Sequence, residues 1–283
     1  MGVERGPGMS ILLLLAASAI SPGATAAETT PAAALDYGRL IDDAIEGGRI
    51  VQAELMLSQW RDGAQAQDKR GIDIAVAQMA LAKGQDAEAE ARFSAIGPGA
   101  TADCRIDEGL GIARLRLGGA DQAAEALRRA VDQCASRWRA WNALGVAYDK
   151  AKSWALSAAA YERAFQLTDR PVQVLNNYGL SLMAQGQAEK AIAIFDKARD
   201  MAPDDARLIA HSDAAQVMAG RDIERRAADD ANSWARRLSD AGQVALRMGD
   251  AVKARAYLSR AVTESESFQP EATAALADMG ARP

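Results

Sequence analysis

NNYGLSLMAQGQAEKAIAIF, residues 176–195, holds two amphipathic stretches joined at Gly186, and the first carries a glycine, Gly179, in its interior. A glycine inside a helix costs about 1 kcal/mol relative to alanine. Its presence there needs a reason, which the rest of the chain should supply if the pattern around it recurs. The pattern does recur. Gly84, Gly118, Gly186 and Gly220 fall on one register of 34 residues, Lys152 stands at the missing position, and Gly48 and Gly249 extend the register with small slips. Each glycine closes an apolar helical pattern and precedes a polar residue or two, as a left-handed helix cap followed by a new helix start requires. The period is a helix-turn-helix pair.

Other slots keep the same beat. Five residues after each cap position comes a small side chain (Ala53, Ala89, Ala123, Ser157, Ala191, Ala254), and four further on a bulky one (Leu57, Phe93, Leu127, Tyr161, Phe195, Leu258). Three residues later another small one follows at Ala130, Ala164, Ala198 and Ala261, which puts all three slots on one helical face. Pro31, Pro98, Pro171, Pro203 and Pro270 lie outside the helix interiors of this frame, where proline breaks nothing. The chain has 283 residues and is 49% hydrophobic but only 5% aromatic, which favours close-packed helices over a sandwich of sheets. Its net charge of −5 argues against a generally basic nucleic-acid-binding surface.

The N-terminus reads as an address. Arg5 precedes the apolar run Ile11 to Ile20, then Ser21-Pro22-Gly23 breaks it and Ala24-Thr25-Ala26 fits small-residue cleavage. The expectation is a signal peptide over 1–26, removed after Ala26, and a linker over 27–33. The run falls short of the ~20 apolar residues that span a bilayer, and no cysteine follows it to carry a lipid. The mature protein is expected to be periplasmic, with no transmembrane segment.

A 34-residue helical hairpin with the pattern W-x2-L-G-x2-Y, then A-x3-F, then A and P, resembles the tetratricopeptide repeat. Trp141, Leu144, Gly145, Tyr148, Ser157, Tyr161 and Ala164 fill those slots once, and Leu175, Tyr178, Gly179, Leu182, Ala191, Phe195, Ala198 and Pro203 fill them again. The resemblance implies an all-α solenoid of antiparallel helix pairs, about six to seven repeats in a right-handed superhelix, whose concave wall is lined by the first helices. The frame places repeats at 34–67, 70–103, 104–137, 138–171, 172–205 and 235–268, a degenerate unit at 206–234, and a capping helix and tail over 269–283. In the degenerate unit Arg225, Asp229 and Asn232 occupy slots that should be small or apolar. In such repeats a small residue at the slot of Gly179 faces the small residue of the second helix, here Ala191, with Gly111 and Ala123, and Gly145 and Ser157, repeating the arrangement. The stretch VLNNYGLSLMAQGQAEKAIAIFDKARDMAPDD also resembles the repeats of tight-adherence (Flp) pilus assembly proteins of the TadD-like group, mainly over residues 138–220. Proteins of that group often carry a lipid anchor, whose cysteine is missing here.

By analogy with the family, the concave wall draws on fixed first-helix slots. Arg105, Arg139 and Arg207 share one, with Gln173 as the exception, and Ile112, Val146 and Leu180 share another; Asn142, Asn176, Asn177 and Met183 complete the candidate groove. Each arginine lies in the first turn of an expected helix, where the backbone dipole disfavours cations by a few tenths of a kcal/mol. Two readings stand: a cationic ladder above an apolar strip, suited to a peptide bearing carboxylates, or pairing of each arginine with an acid across the repeat joint, such as Glu108 or Asp132. The partner implied is a protein or peptide segment. Two functions follow, an exported scaffold in assembly of an envelope machine such as the Flp pilus, or a docking subunit for a cell-wall or polysaccharide enzyme.

Cys104 opens the first helix of its repeat and Cys134 ends the second, and in an antiparallel hairpin those ends meet. An even count in an exported protein favours a disulfide; without export the two are free, half-buried thiols. Catalysis leaves little trace. His211 is the one histidine, and no HExxH, CxxC, phosphate-binding glycine loop or nucleophile elbow is present. No enzyme activity, cofactor or metal is expected. Asp204-Asp205 and Asp229-Asp230 suit helix starts and turns, and the paired basics Arg128-Arg129, Arg225-Arg226 and Arg236-Arg237 read as solvated faces.

Overall fold

The computed structural model describes residues 35–97 and 103–281, so the expected signal segment and linker lie outside the described residues. From Tyr37 onward the chain forms one compact unit. Its helices are α1 (Tyr37–Glu46), α2 (Ile50–Asp62), α3 (Lys69–Ala82), α4 (Asp86–Ile96), α5 (Cys104–Arg116), α6 (Ala120–Gln133) and α7 (Trp138–Lys150). They continue as α8 (Trp154–Leu167), α9 (Val172–Ala184), α10 (Ala188–Met201), α11 (Ala206–Met218), α12 (Ala231–Arg247), α13 (Ala251–Thr263) and α14 (Pro270–Ala281). No strand is present among the described residues. Successive helices pack as antiparallel neighbours, and each odd-numbered helix from α1 to α11 also packs on the next odd one, so the first helices of the hairpins form an inner layer. This is the stacking of a solenoid.

The register of 34 residues is written in the caps. Gly48, Gly84, Gly118, Gly186, Gly220 and Gly249 all adopt φ between 71° and 94°, and Lys152 joins them at φ 54°. At Gly186 the backbone N–H donates to Met183 O at 2.9 Å and Gln187 N–H to Leu182 O at 2.9 Å, the paired bonds that end a helix in a left-handed cap. Lys152 makes the same pair, to Asp149 O and from Ser153 to Tyr148 O. A lysine holds that conformation at a cost of about 1–2 kcal/mol, partly offset by the entropy a glycine loses. Lys152→Gly should therefore stabilise the protein by about 0.5–1 kcal/mol, read as a higher denaturant midpoint at unchanged slope. An unchanged or lower midpoint contradicts this account of the cap.

The second-helix slots form the core. Ala53, Ala89, Ala123, Ser157, Ala191 and Ala254 are wholly buried, and Phe93, Leu127, Tyr161, Phe195 and Leu258 are at most 1% exposed. Here the structure differs from the expectation for Gly179. A Cβ at 179 would lie 2.5 Å from the Phe195 ring, not against Ala191, and one at 145 would lie 2.7 Å from the Tyr161 ring. At Gly111 and Gly242 the obstacle is Leu127 or Leu258, with the carbonyl of Ala123 or Ala254 close behind. The missing side chain thus makes room for the bulky residue of the partner helix. Helix propensity is traded for a bulky side chain packed close against the backbone.

Polar residues join α7, α8 and α9. Asp149 accepts hydrogen bonds from Ser157 Oγ, from Ser181 Oγ at 2.6 Å and from Tyr161 OH at 2.7 Å. Burial, reinforced by the Asp149 charge, pushes the Tyr161 phenol well above its ordinary value and keeps it a donor. Cys104 and Cys134 are bonded as a disulfide that ties the start of α5 to the end of α6.

After α11 the pattern fails. With Arg225 and Asp229 in slots that should be buried, the segment Arg221–Asp230 has no apolar face and forms no helix, while Asn232 falls in the first turn of α12. It crosses as a strap, with Ile223 buried in the C-terminal core and Tyr257 OH donating to Asp222 at 2.9 Å. Arg226 and Arg237 are tied down rather than freely solvated. Arg226 donates to Pro203 O and Asp204, and Arg237 lies between Asp213 and Asp229, only 13% of its side chain exposed. Asp205 and Asp230 cap α11 and α12, accepting from the backbone N–H of Arg207 and Ser233.

Candidate interaction surface

The inner layer brings most of the expected groove residues together. One cavity of about 640 Å³ is lined by Trp138, Gln173, Asn176, Asn177 and Arg207, together with Asp43, Glu46 and Arg49 of the first hairpin. A second, of about 420 Å³, is lined by Ile45, Ile112, Arg139, Asn142 and Val146. A third, of about 290 Å³, is lined by Val146, Trp154, Tyr161, Leu180 and Ala184. Asn177 lines all three, and Val146 lines the second and third. The wall is therefore continuous from α5 to α11, apolar along the Ile112–Val146–Leu180 slot and amide-rich beside it.

The amides are linked across helices. Asn177 Nδ2 donates to Asn142 Oδ1 at 3.2 Å, Asn176 Nδ2 to Asn177 Oδ1 at 3.5 Å, and His211 Nδ1 lies 2.7 Å from Asn176 Oδ1. His211 tilts against the Phe195 ring at 5.9 Å. Burial, and then the nearby Arg207 charge, lowers its pKa, so at pH 7 the imidazole is neutral. These side chains carry both donors and acceptors, the complement of an extended peptide backbone.

The arginines do not stand as three equivalent cations. Arg105 donates to both oxygens of its own helix cap, Asp103, at 2.9 and 2.7 Å. Burial raises the Asp103 carboxyl, but the hydrogen bonds and charge of Arg105 outweigh it and hold the pKa below the usual carboxylate range. Arg139 lies 4.0 Å from Glu108. Arg207 bonds Asp205 at 3.2 Å yet leaves 82% of its side chain exposed. Asp132 is not the partner of any of the three. Arg105 and Met183 are not among the residues that line the three cavities, and Met183 is half-buried against the core around Phe195. Ile112 and Asn142 are 8% and 5% exposed, so they form the floor of the wall rather than its rim.

Trp138, Gln173 and Glu46 line both of the larger cavities; the slot pattern placed Gln173 on the wall, but nothing in the sequence singled out Trp138 and Glu46. Trp138 sits at the start of α7, where a tryptophan reads equally well as packing. Glu46 reaches the wall from the first hairpin, a placement that no local spacing encodes. Among the described residues no cluster of histidine, cysteine or carboxylate side chains is arranged to hold a metal ion.

The tetratricopeptide-repeat family model matches residues 109–169 and 154–206. Among solved structures, a tetratricopeptide repeat protein from Parabacteroides merdae superposes with a TM-score of 0.50 at 15% identity, covering 86% of this chain and 98% of that one. The hetero-tetramer Cut9–Hcn1 of the APC/C gives a TM-score of 0.58 at 16% identity, over 87% of this chain and 49% of that one. At such identities the likeness shows the fold alone. No curated protein sequence gives a significant match.

Proposed function

We propose that this tetratricopeptide-repeat solenoid is an exported scaffold that holds an extended segment of another protein along its concave wall, in the assembly of a cell-envelope machine such as the Flp pilus. The observation that carries the binding mode is the convergence of three cavities on Asn177, where amides linked from α7 to α11 run beside the apolar slot of Val146 and Leu180. Amide side chains pair with a partner's main chain whatever its sequence, and the apolar slot of Val146 and Leu180 selects for the side chains that face it. A carboxylate on the partner meets Arg207, whose guanidinium is the most exposed of the three. Export is supported by the apolar run from Ile11 to Ile20 and by the disulfide, which persists in an oxidising compartment. Among the described residues no helix is long and apolar enough to cross a membrane. The chain acts by holding, not by catalysis. Assignment to the tight-adherence pilus rests on the resemblance of its repeats to the TadD-like group.

Photo-crosslinking residues placed at Val146 and Leu180 should capture one and the same partner segment in the native host, while the exposed outer position Arg163 should not. Asn177→Ala should weaken that segment's binding about tenfold, the loss of a hydrogen bond worth roughly 1–1.5 kcal/mol. Capture from Arg163 with none from the wall overturns the proposal.

A further inference from the structure

The first hairpin is joined to the rest of the inner layer in an unusual way. Among the described helices α1 packs only on α2 and α3. Yet Asp42 on α1 pairs with Arg137, 95 residues away at the cap of α7. The guanidinium of Arg137 is fully engaged: Nε and Nη2 donate to the two oxygens of Glu108 on α5 at 2.8 Å each, Nη1 donates to Asp42, and Nη2 also lies 3.3 Å from Asp42 Oδ1 and 3.5 Å from Glu46. The exposure of these side chains is 15% for Arg137, 9% for Asp42 and 4% for Glu108. On the other side of Asp42, Gln78 of α3 donates to Oδ1 at 2.6 Å, while its own Oε1 is buried without a partner.

Two features mark this cluster as a device rather than ordinary packing. The spacing from Gly48 to Gly84 is two residues longer than the period, and the extra length falls in the exposed connection from Gly63 to Asp68, which closes with a single 3-10 turn. That connection is the covalent joint between the first hairpin and the second. The other side of the latch is fixed. Arg137 N–H donates to Cys134 O at 3.1 Å, and Cys134 is tied to Cys104 at the start of α5, beside the Asp103–Arg105 pair.

We infer that Arg137 is a latch that holds the first hairpin closed over the concave wall, with the disulfide as its fixed post and the α2–α3 connection as its hinge. Glu46 and Gly47, at the turn that the latch restrains, line the same cavity of about 640 Å³ as Asn176, Asn177 and Arg207. Release of the latch therefore widens the chamber in which a partner lies, and the entry of a partner is regulated by the first hairpin. Burial works against the charge of Arg137, but its bonds to Glu108 and Asp42 more than offset this and hold it firmly protonated, so the latch stays charged across the physiological range. The consequence for binding rests on the groove proposed above; the latch itself is testable in the free protein.

Hydrogen exchange of the full mature chain, followed peptide by peptide, reads the hinge directly. In Arg137→Gln, amides of residues 37–46 should exchange at least tenfold faster while those of 172–184 change by less than twofold. Glu46→Gln removes only the weakest contact and should give about threefold in the same peptide, a variant mild enough to fold whatever Arg137→Gln does. Cys104→Ala with Cys134→Ala should loosen 37–46 in the same sense. Unchanged protection of 37–46 in both Arg137→Gln and Glu46→Gln overturns the latch, and so does a loss of protection spread evenly over 37–46 and 172–184.

Discussion

Replacing Asp149 by alanine is expected to lower the stability of the protein by about 3 kcal/mol, an effect out of scale with a half-buried residue near the end of a helix. The reason is the company it keeps. Ser157 is wholly buried, Tyr161 is 1% exposed and Ser181 3% exposed, and the hydroxyls of all three donate to the Asp149 carboxylate. Removing the acceptor strands these donors away from water, and each stranded group costs about 1–3 kcal/mol, partly relieved because the two serines lie 3.4 Å from one another. Asp149→Asn keeps an acceptor oxygen and should cost less than half as much. Denaturant unfolding of both variants checks the pair. Equal losses, or a loss near that of an exposed substitution, contradict a shared carboxylate.

The second large effect lies at Gly179. Valine there should cost about 3 kcal/mol, although it improves helix propensity, because even its first carbon lies 2.5 Å from the Phe195 ring. Phe195 is wholly buried between small residues and has little room to retreat. A residue-by-residue propensity scale gives the opposite sign, so thermal unfolding of this variant distinguishes the two.

Much of the fold is legible in the sequence, because the features that make it are local and repeated. The cap glycines and the slots of Ala191, Phe195 and Ala198 recur with the period of the hairpin and each has one conformational meaning. Even the exception was placed by the register, since Lys152 occupies the cap position and adopts its left-handed backbone. Three things were not legible. Family analogy points Gly179 at Ala191, whereas the ring of Phe195 is what occupies the space over the glycine. The polar joint of Asp149, Ser157 and Tyr161 appears in the sequence only as three departures within one repeat, where its neighbours have Leu or Met, Ala, and Phe or Leu. Their coincidence was the available signal. The latch at Arg137 has none, since Asp42 and Arg137 are brought together by the curvature of the whole inner layer and fall on no common spacing.

The groove residues divide on the same ground. Val146, Leu180, Asn176 and Asn177 face the cavities because first-helix slots repeat faithfully. Arg105 and Arg139 share a slot with Arg207 but not its exposure: Asp103 holds Arg105, Glu108 lies near Arg139, and Arg207, though it bonds Asp205, leaves most of its side chain in solvent. Slot identity sets where a side chain starts. Neighbouring charges set where it ends.

The hairpins close on one contact, repeated along the chain, in which a glycine in the first helix receives the bulky side chain of the second. A double-mutant cycle of Gly179→Ala and Phe195→Ala, followed by chemical unfolding, tests it most directly. Alone, Gly179→Ala should destabilise by roughly 1–2 kcal/mol; with the ring gone it should become neutral or stabilise by up to about 1 kcal/mol, as helix propensity alone dictates. A coupling of about 2 kcal/mol is the predicted result, and additive losses would contradict the account.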